Sequence, residues 1–291
     1  MVLSREACAL VNTPYAVVLG TVQDGGFPHV GCACTACVTE ASAPASPPRR
    51  VACLGLVTSQ GVALVDATPD LAAQQRELAR VAGVPANRAL RAILLTHLHA
   101  GHILGLPLLG REGWANTGTP VWATEACLGF LEQHEPFAHL FRDRHLVPRV
   151  LHLGWDASLD DLVIQAVPVP HRSESGDTVA YRIEGPGRSL FYAPDVDSIV
   201  PEVVAQVRAA DVAILDGTFF RRRELLRDDS EFVPHPAIAD TMSVVSRLAT
   251  KVLFTHLNHT NPALDAASRE RQAVEALGMR IAREGDVFDL A

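Results

Sequence analysis

Short apolar and β-branched runs, bounded by Gly, Pro or Ser, alternate along the chain with longer segments of helical periodicity. Such runs are typical of buried strands. The pattern predicts strands at 15–19, 51–58, 62–66, 93–95, 121–124, 163–169, 178–183, 189–193, 212–215 and 251–255. It predicts helices at 198–209, 236–249 and 264–277, and a loop at 44–48. Strands that alternate with helices indicate the α/β class.

A further helix is predicted directly after the third strand. Thr68 can cap it, Pro69 suits its first turn, and Asp70 complements the positive end of the helix dipole. Leu78 lies on its apolar face, and Gly83 is expected to end it.

Composition limits the classes of function. The chain has 291 residues, of which 48% are hydrophobic, and no change in composition divides it, so we expect one domain over 1–291. The net charge of −8, without a basic run, argues against a general nucleic-acid surface. The first residues do not resemble a signal peptide, and no apolar run reaches the roughly 18 residues of a membrane span. We therefore expect a cytoplasmic protein that takes a small-molecule substrate and has no membrane partner.

Three cysteines form a C-x-C-x-x-C cluster at Cys32, Cys34 and Cys37. Thiolates this close together suit tetrahedral zinc with one further ligand, and less readily an iron–sulfur cluster, which usually takes four cysteines. Reduced thiols without a metal are the third alternative. We favour structural zinc, in a zinc-binding loop at about 20–40. The remaining cysteines are expected to be small buried hydrophobes: Cys8, Cys53 and Cys127.

Three histidines, His97, His99 and His102, lie within six residues directly after a predicted strand. A tight turn can direct all three at one small volume, and neutral imidazole is the commonest metal ligand. Three later strands are each followed by another side chain that can bind a metal, namely His171, Asp195 and His256. Ligands delivered by successive strand ends predict a metal site at one edge of a sheet.

The order of these residues resembles the metallo-β-lactamase superfamily, which implies an αββα sandwich with a metal site at one edge. Within it, the segment LGTVQDGGFPH at 19–29, followed by the cysteine cluster, resembles the coenzyme PQQ biosynthesis protein B family. The segments DGT at 216–218 and NP at 261–262 support that branch. The cyclic-phosphate phosphodiesterase of phosphonate breakdown is a related match that also carries the three-cysteine cluster.

The resemblance implies how the ligands divide. His97, His99 and His171 would form a first metal position, His102 and His256 would belong to a second, and Asp195 would bridge the two. The usual motif has an aspartate where this chain has Gly101. The site is thus expected to hold one or two ions of zinc, iron or manganese. The phosphodiesterase resemblance also implies that His259 is the fourth ligand of the structural zinc.

The same resemblance predicts a metallo-hydrolase in which metal-bound water cleaves a small ester, phosphodiester or lactone. His235 resembles in position a histidine that protonates the leaving group in phosphodiesterases, and Asp66 is expected to orient a ligand histidine. One alternative is an iron-dependent oxygenase or hydroxylase, as the PQQ family implies, because His102, His256 and Asp195 form a two-histidine, one-carboxylate set. A second alternative is a metal-binding protein without turnover. Relatives are often dimers, so a homodimer is possible.

Overall fold

The computed structural model describes residues 14–42, 48–172, 176–222, 224 and 233–291. In these ranges a first sheet contains β1 (Tyr15–Gly20), β2 (Cys53–Thr58), β3 (Gly61–Val65), β4 (Ile93–Leu94), β5 (Thr119–Ala123), β6 (Leu146–Val150) and β14 (Val287–Asp289). Its order is β14-β1-β2-β3-β4-β5-β6. The strands from β3 to β6 run parallel to one another.

A second sheet contains β7 (Asp156–Leu159), β8 (Leu162–Pro168), β9 (Val179–Glu184), β10 (Ser189–Ala193), β11 (Val212–Asp216), β12 (Lys251–Thr255) and β13 (Arg280–Ile281). Its order is β13-β12-β11-β10-β9-β8-β7. The two sheets share one apolar layer, to which the first contributes Val18 and Leu56 and the second contributes Tyr181, Tyr192 and Leu253. Side chains alternate along a strand, so the opposite face of each sheet needs its own cover.

Helices provide that cover on both sides. They are α1 (Thr35–Ala41), α2 (Leu71–Ala82), α3 (Ala100–Ile103), α4 (Glu125–Gln133), α5 (Ala138–Arg142), α6 (Pro201–Ala209), α7 (Ile238–Val245) and α8 (Arg269–Ala276). Leu78 of α2 and Leu131 of α4 pack on the first sheet. Val207, Met242 and Val274, from α6 to α8, pack on the second. The predicted αββα sandwich is confirmed.

Every predicted strand is present, with its ends moved by no more than two residues. The predicted helix at 264–277 is divided into a 3₁₀ turn (Pro262–Leu264) and α8, because Ser268 caps a new helix by accepting from the N–H of Arg271 at 3.0 Å. The predicted loop at 44–48 lies almost wholly outside the described residues, and Cys8 lies outside them too. Cys53 and Cys127 are buried, as expected. None of the described helices is long and apolar enough to span a bilayer.

The helix predicted directly after the third strand is α2, and it starts later than Pro69. Its first helical residue is Leu71 and Asp70 is the N-cap residue, whose carboxylate does not cap the helix but accepts from the backbone N–H of Val51 at 2.8 Å. The helix ends as predicted, with Gly83 at φ 66° in the left-handed region.

The parallel strands deliver their carboxyl ends to one edge of the sandwich. Asp66 follows β3, and Asp195 follows β10. The histidine turn, which carries His97, His99 and His102, follows β4. Asp216 ends β11, and His256 follows β12. Ligand sites of open α/β sheets form at such carboxyl ends, and the fold therefore collects these side chains in one place.

Candidate metal centres

The three cysteines of the N-terminal loop surround a single ring nitrogen. Nδ1 of His259 lies 3.6 Å from Sγ of Cys32 and 3.7 Å from Sγ of both Cys34 and Cys37. In a tetrahedral zinc site with Zn–S of about 2.3 Å and Zn–N of about 2.0 Å, sulfur and nitrogen lie about 3.6 Å apart. The donor chemistry and these separations fit zinc, with the four ligands expected from the sequence.

This group of four donors, Cys32, Cys34, Cys37 and His259, is called the cysteine cage, and it joins two distant parts of the chain. The cysteines lie on the loop and on α1, whereas His259 follows β12. The N–H of Cys37 lowers the pKa of Cys34, whereas burial raises the pKa of Cys37 to about 11. Since thiolates are the metal-binding form, a bound cation would have to displace the proton of Cys37.

The first donor set combines two histidines of the histidine turn, His97 and His99, with His171 and Asp195. Nε2 of His171 is 3.1 Å from Nδ1 of His99 and 3.3 Å from Oδ2 of Asp195. Nε2 of His97 is 3.2 Å from the same oxygen. The structure thus brings together the four side chains from which the sequence predicts the first metal position.

Asp195 lies between the first set and a second one. Its Oδ2 is 3.9 Å from Nε2 of His102 and 3.8 Å from Nε2 of His256. The side chain is buried, and its Oδ1 has no hydrogen-bond partner among the described residues. One carboxylate oxygen therefore faces both sets, which is the arrangement that a bridging ligand requires.

The second set has a member that the predicted ligands do not include. Oδ1 of Asp24 is 3.8 Å from Nε2 of His102 and 3.6 Å from Nε2 of His256. Burial opposes its charge, but the imidazoles of His256 and His102 hold the pKa of Asp24 well below its usual range. Two imidazoles and two carboxylates, those of Asp24 and Asp195, thus surround the second position.

Buried carboxylates fix the protons of these rings. Oδ2 of Asp66 lies 2.7 Å from Nδ1 of His102, and because a carboxylate only accepts, the proton is on Nδ1. The hydroxyl of Thr96 donates to Asp66 and lies 3.0 Å from Nδ1 of His97. Asp197 holds Nδ1 of His171 in the same way, at 2.7 Å. Such partners fix the tautomer of metal-binding histidines.

The remaining ring nitrogens face inward without a partner. Nε2 of His97, His102 and His256 is buried and makes no hydrogen bond within the described chain. Burial opposes charge on His102, yet the carboxylates of Asp66, Asp24 and Asp195 raise its pKa to about 9. A field that holds a proton this firmly also attracts a divalent cation. The orphaned nitrogens and the carboxylates between them therefore fit metal ions.

His235 completes the site from the segment before α7. Its Nδ1 lies 2.8 Å from Oδ2 of Asp216 and 3.4 Å from Oδ1 of Asp195. Burial opposes its charge, but Asp216 raises the pKa of His235 to about 9. The ring borders a cavity of about 280 Å³ that is also lined by Asp197, Ser198, Ile199, Arg222, Pro236, Asp240, Thr241 and Val244.

Two of the site residues have backbone conformations that are unusual for side chains with a Cβ. Asp66 has a φ of 70° and His256 a φ of 59°, both in the left-handed region. Such conformations persist where the surroundings hold them, and they cluster at functional sites. The strain is consistent with a site whose geometry matters more than local stability.

Three functional contacts escape prediction from the sequence. Asp24 belongs to the quoted N-terminal motif, but nothing in the motif identifies it as a donor. Asp197 follows Asp195 by two residues, which was a visible signal of a second carboxylate at the same strand end. Asp216 belongs to the quoted DGT segment, and its second oxygen accepts from the N–H of Val196 at 3.0 Å while binding His235. Asp66 is fully buried behind the rings and contacts Nδ1 of His102, as expected of a residue that orients a ligand histidine.

Removing the carboxylate behind His171 should weaken the first metal position. In Asp197→Ala the ring loses the acceptor at 2.7 Å that fixes its tautomer, and loss of such a partner lowers metal affinity roughly 10- to 100-fold. Competition with a chromogenic chelator measures the change. Asp197→Asn keeps an acceptor and should recover most of the affinity, whereas equal affinity in wild type and Asp197→Ala would contradict the role.

Comparisons with known proteins agree with the fold. Residues 63–257 match the family described as "Beta-lactamase superfamily domain". Coenzyme PQQ synthesis protein B of Cupriavidus taiwanensis is 30% identical over 299 residues, covering 92% of this chain and 97% of the relative. The protein of the same name from Cupriavidus necator is 29% identical with the same coverage.

Two solved structures are similar over nearly the whole chain. Zn²⁺-bound PqqB from Methylobacterium extorquens has a TM-score of 0.81 and 24% identity, covering 95% of this chain and 100% of its own. A diphosphatase from the PhnP family has a TM-score of 0.69 and 24% identity, covering 94% of this chain and 96% of its own. The chain belongs to the metallo-β-lactamase superfamily and, within it, resembles coenzyme PQQ synthesis protein B.

Proposed function

We propose that the chain is a metal-dependent hydrolase that cleaves a small ester, phosphodiester or lactone. The observation that carries the proposal is the shared carboxylate: Oδ2 of Asp195 faces both donor sets, while its Oδ1 lies 3.4 Å from the ring of His235. Metal ligands and a proton carrier thus meet at one carboxylate beside a cavity. Similarity to a PhnP-family diphosphatase supports the same chemistry.

Each residue has a part that follows from its contacts. His97, His99, His171 and Asp195 would hold the first ion, and a bound divalent metal supplies an acidified water and polarises the bond to be cleaved. Asp66 and Asp197 keep the ring protons on Nδ1 and so leave Nε2 as the donor atom. His235, held by Asp216, is the side chain that gives a proton to the departing oxygen.

The cavity limits what can bind. Its volume of about 280 Å³ lies near the lower end of small-molecule pockets, roughly 300–1,000 Å³. Arg222, on its wall, is paired with Asp240 at 2.7 Å. A small ester, phosphodiester or lactone suits the size of the cavity.

The iron-dependent alternative rests on the two-histidine, one-carboxylate set of His102, His256 and Asp195. Elemental analysis of protein purified without added metal, with assays on a chromogenic phosphodiester and a chromogenic lactone, separates the two functions. Zinc or manganese with turnover of either substrate supports the hydrolase. Tightly held iron with oxygen consumption and no hydrolysis would overturn it, and metal without any turnover would favour a non-catalytic protein.

Loss of the His235 ring should depend on the leaving group. In His235→Gln we expect a loss of about 100-fold or more with an alkyl phosphodiester, whose leaving group needs a proton, because side-chain proton donation is worth roughly 10²- to 10⁴-fold. A nitrophenyl ester leaves without protonation and should lose less than about fivefold. Steady-state kcat for both substrates measures the effect, and an equal loss with both would remove His235 from the proton-donor role.

A further inference from the structure

Gly101 occupies the position at which the superfamily motif has an aspartate, and the structure shows what fills the space of the missing side chain. A Cβ built on Gly101 would lie 2.2 Å from Oδ1 and 2.4 Å from Cγ of Asp24. Real Cβ atoms do not approach so closely. A side chain at position 101 and the carboxylate of Asp24 therefore exclude each other.

The carboxylate of Asp24 is held in this space by both oxygens. Oδ2 accepts from the backbone N–H of Gly101 at 3.2 Å, whereas Oδ1 faces Nε2 of His102 and of His256. The loop behind it is attached to the segment after β12, because the N–H of Gln23 donates to the carbonyl of Leu257 at 3.0 Å. A residue far from the histidine turn in sequence thus enters the site through a fixed backbone.

The ring nitrogens that face the carboxylates, Nε2 of His102 and of His256, make no hydrogen bond within the described chain. The proton of His102 lies on Nδ1, facing Asp66. The hydroxyl of Thr218 lies 3.2 Å from the carbonyl of His256 and 3.1 Å from its Nδ1, so it donates to the first and accepts from the second. Nε2 of each ring faces the carboxylates of Asp24 and Asp195, which are acceptor-only. A cation bound here would balance the charge of the two carboxylates.

The spacing of these atoms fits a metal ion. The oxygen–nitrogen separations are 3.6–3.9 Å for Asp24 and Asp195 against His102 and His256. Tetrahedral zinc with donors at about 2.0–2.2 Å has neighbouring donors about 3.3–3.6 Å apart. Asp24, His102 and His256 form one compact donor group, to which Asp195 does not belong. Each carboxylate must approach the two rings by a few tenths of an ångström, and the carboxylates of Asp24 and Asp195 must also approach each other to close the set.

We propose that Asp24 is the carboxylate ligand of the second metal position and replaces, from the N-terminal loop, the aspartate that Gly101 lacks. The second ion is then held by Asp24, His102, His256 and Asp195, and the active site is dinuclear. This inference rests on the metal-dependent function proposed above and names the ligand set of that same site. Gly101 has no side chain, and the space that a side chain would occupy there is filled by the carboxylate of Asp24.

Metal counting tests the proposal without any assay of turnover. Metal-free protein is titrated with Zn²⁺ by calorimetry, and bound metal is counted after gel filtration. Wild type should bind three ions, one in the cysteine cage and two in the active site. Asp24→Ala and Asp24→Asn should each bind two, with the affinity for the third ion lowered more than roughly 100-fold, beyond what loss of an outer partner costs.

Asp24→Asn separates ligation from loop anchoring. Its amide oxygen can still accept from the N–H of Gly101, so a purely structural role would leave its metal count at three. Gln23→Ala, on the same loop, is the matched control and should keep three ions. Thermal unfolding of all variants shows whether each one is folded.

Moving the carboxylate back is the most demanding test. In the double variant Asp24→Gly/Gly101→Asp the clash with the Asp24 side chain is gone, and only Cα of residue 24, at 2.9 Å from the new Cβ, must shift slightly. We expect the count to return to three. Gly101→Asp alone should lose stability, because its side chain meets Asp24.

The outcomes distinguish this inference from the proposed function. Two ions in wild type, or three ions in Asp24→Asn, would overturn the role of Asp24 even if hydrolysis is found. Three ions in wild type and two in both Asp24 variants would uphold it even if no tested ester is cleaved.

Discussion

His99→Ala is expected to abolish turnover while the chain keeps its fold. The Nδ1 of His99 lies 3.1 Å from Nε2 of His171, within the first donor set, so alanine would remove one of the proposed ligands of the first ion. Loss of an outer hydrogen-bond partner already costs roughly 10- to 100-fold in affinity or activity, and loss of a ligand should exceed that range. The ring lies at the open side of the site, so its removal leaves the apolar layers intact.

The measurement is kcat for a hydrolysed substrate, together with thermal unfolding. His152→Ala is a suitable control, since His152 is exposed and its ring contacts Trp155 rather than the site. Wild-type turnover in His99→Ala would remove the three-histidine set from the reaction. A large fall in unfolding temperature would show that the residue is needed for folding as well.

Cys34→Ser should remove one metal equivalent and lower thermal stability. Serine is a much poorer zinc ligand than thiolate, and structural zinc contributes about 10–16 kcal/mol to the folding of small zinc domains. Here the metal would fasten one loop to a sheet that has its own apolar core, so its loss costs less than in a small zinc domain. We expect the unfolding temperature to fall by about 5–10 °C. The loop that carries Cys34 should also become sensitive to protease.

Thr39→Ala provides the matched control for this experiment. Thr39 is exposed on the same short helix and contributes no donor to the cage. It should keep the metal content and the unfolding temperature of wild type. If Cys34→Ser behaved like Thr39→Ala in both measurements, the cage would have no structural role.

Periodicity was sufficient to predict most of the strands, whereas their arrangement in an αββα sandwich came from the resemblance to the superfamily. The strands from β8 to β12 are buried, apolar and punctuated by Gly, Pro or charged residues, so their sequence carries the signal directly. The four edge strands, β6, β7, β13 and β14, were missed. β6 contains Pro148 and exposed Arg149, and β7 is mostly exposed, so neither shows the apolar run of a central strand.

The site was predictable as far as its ligands follow strands. The structure brings His97, His171, Asp195 and His256 together because each follows a strand that ends at the same edge. Asp24 was not predictable in this way, since its loop is placed by long-range contacts with the segment after β12. The sequence contained only the gap, at Gly101, and not the residue that fills it.

The N-terminal loop that carries the cysteine cage also carries Asp24. One end of the loop is fixed to His259, and the other enters the site beside His256, three residues earlier in the chain. Zinc in the cysteine cage would therefore fasten the same loop that presents Asp24, in addition to backbone bonds such as that between Gln23 and Leu257. Loss of the structural ion and loss of the second active-site ion would then be coupled, although the two sites share no ligand.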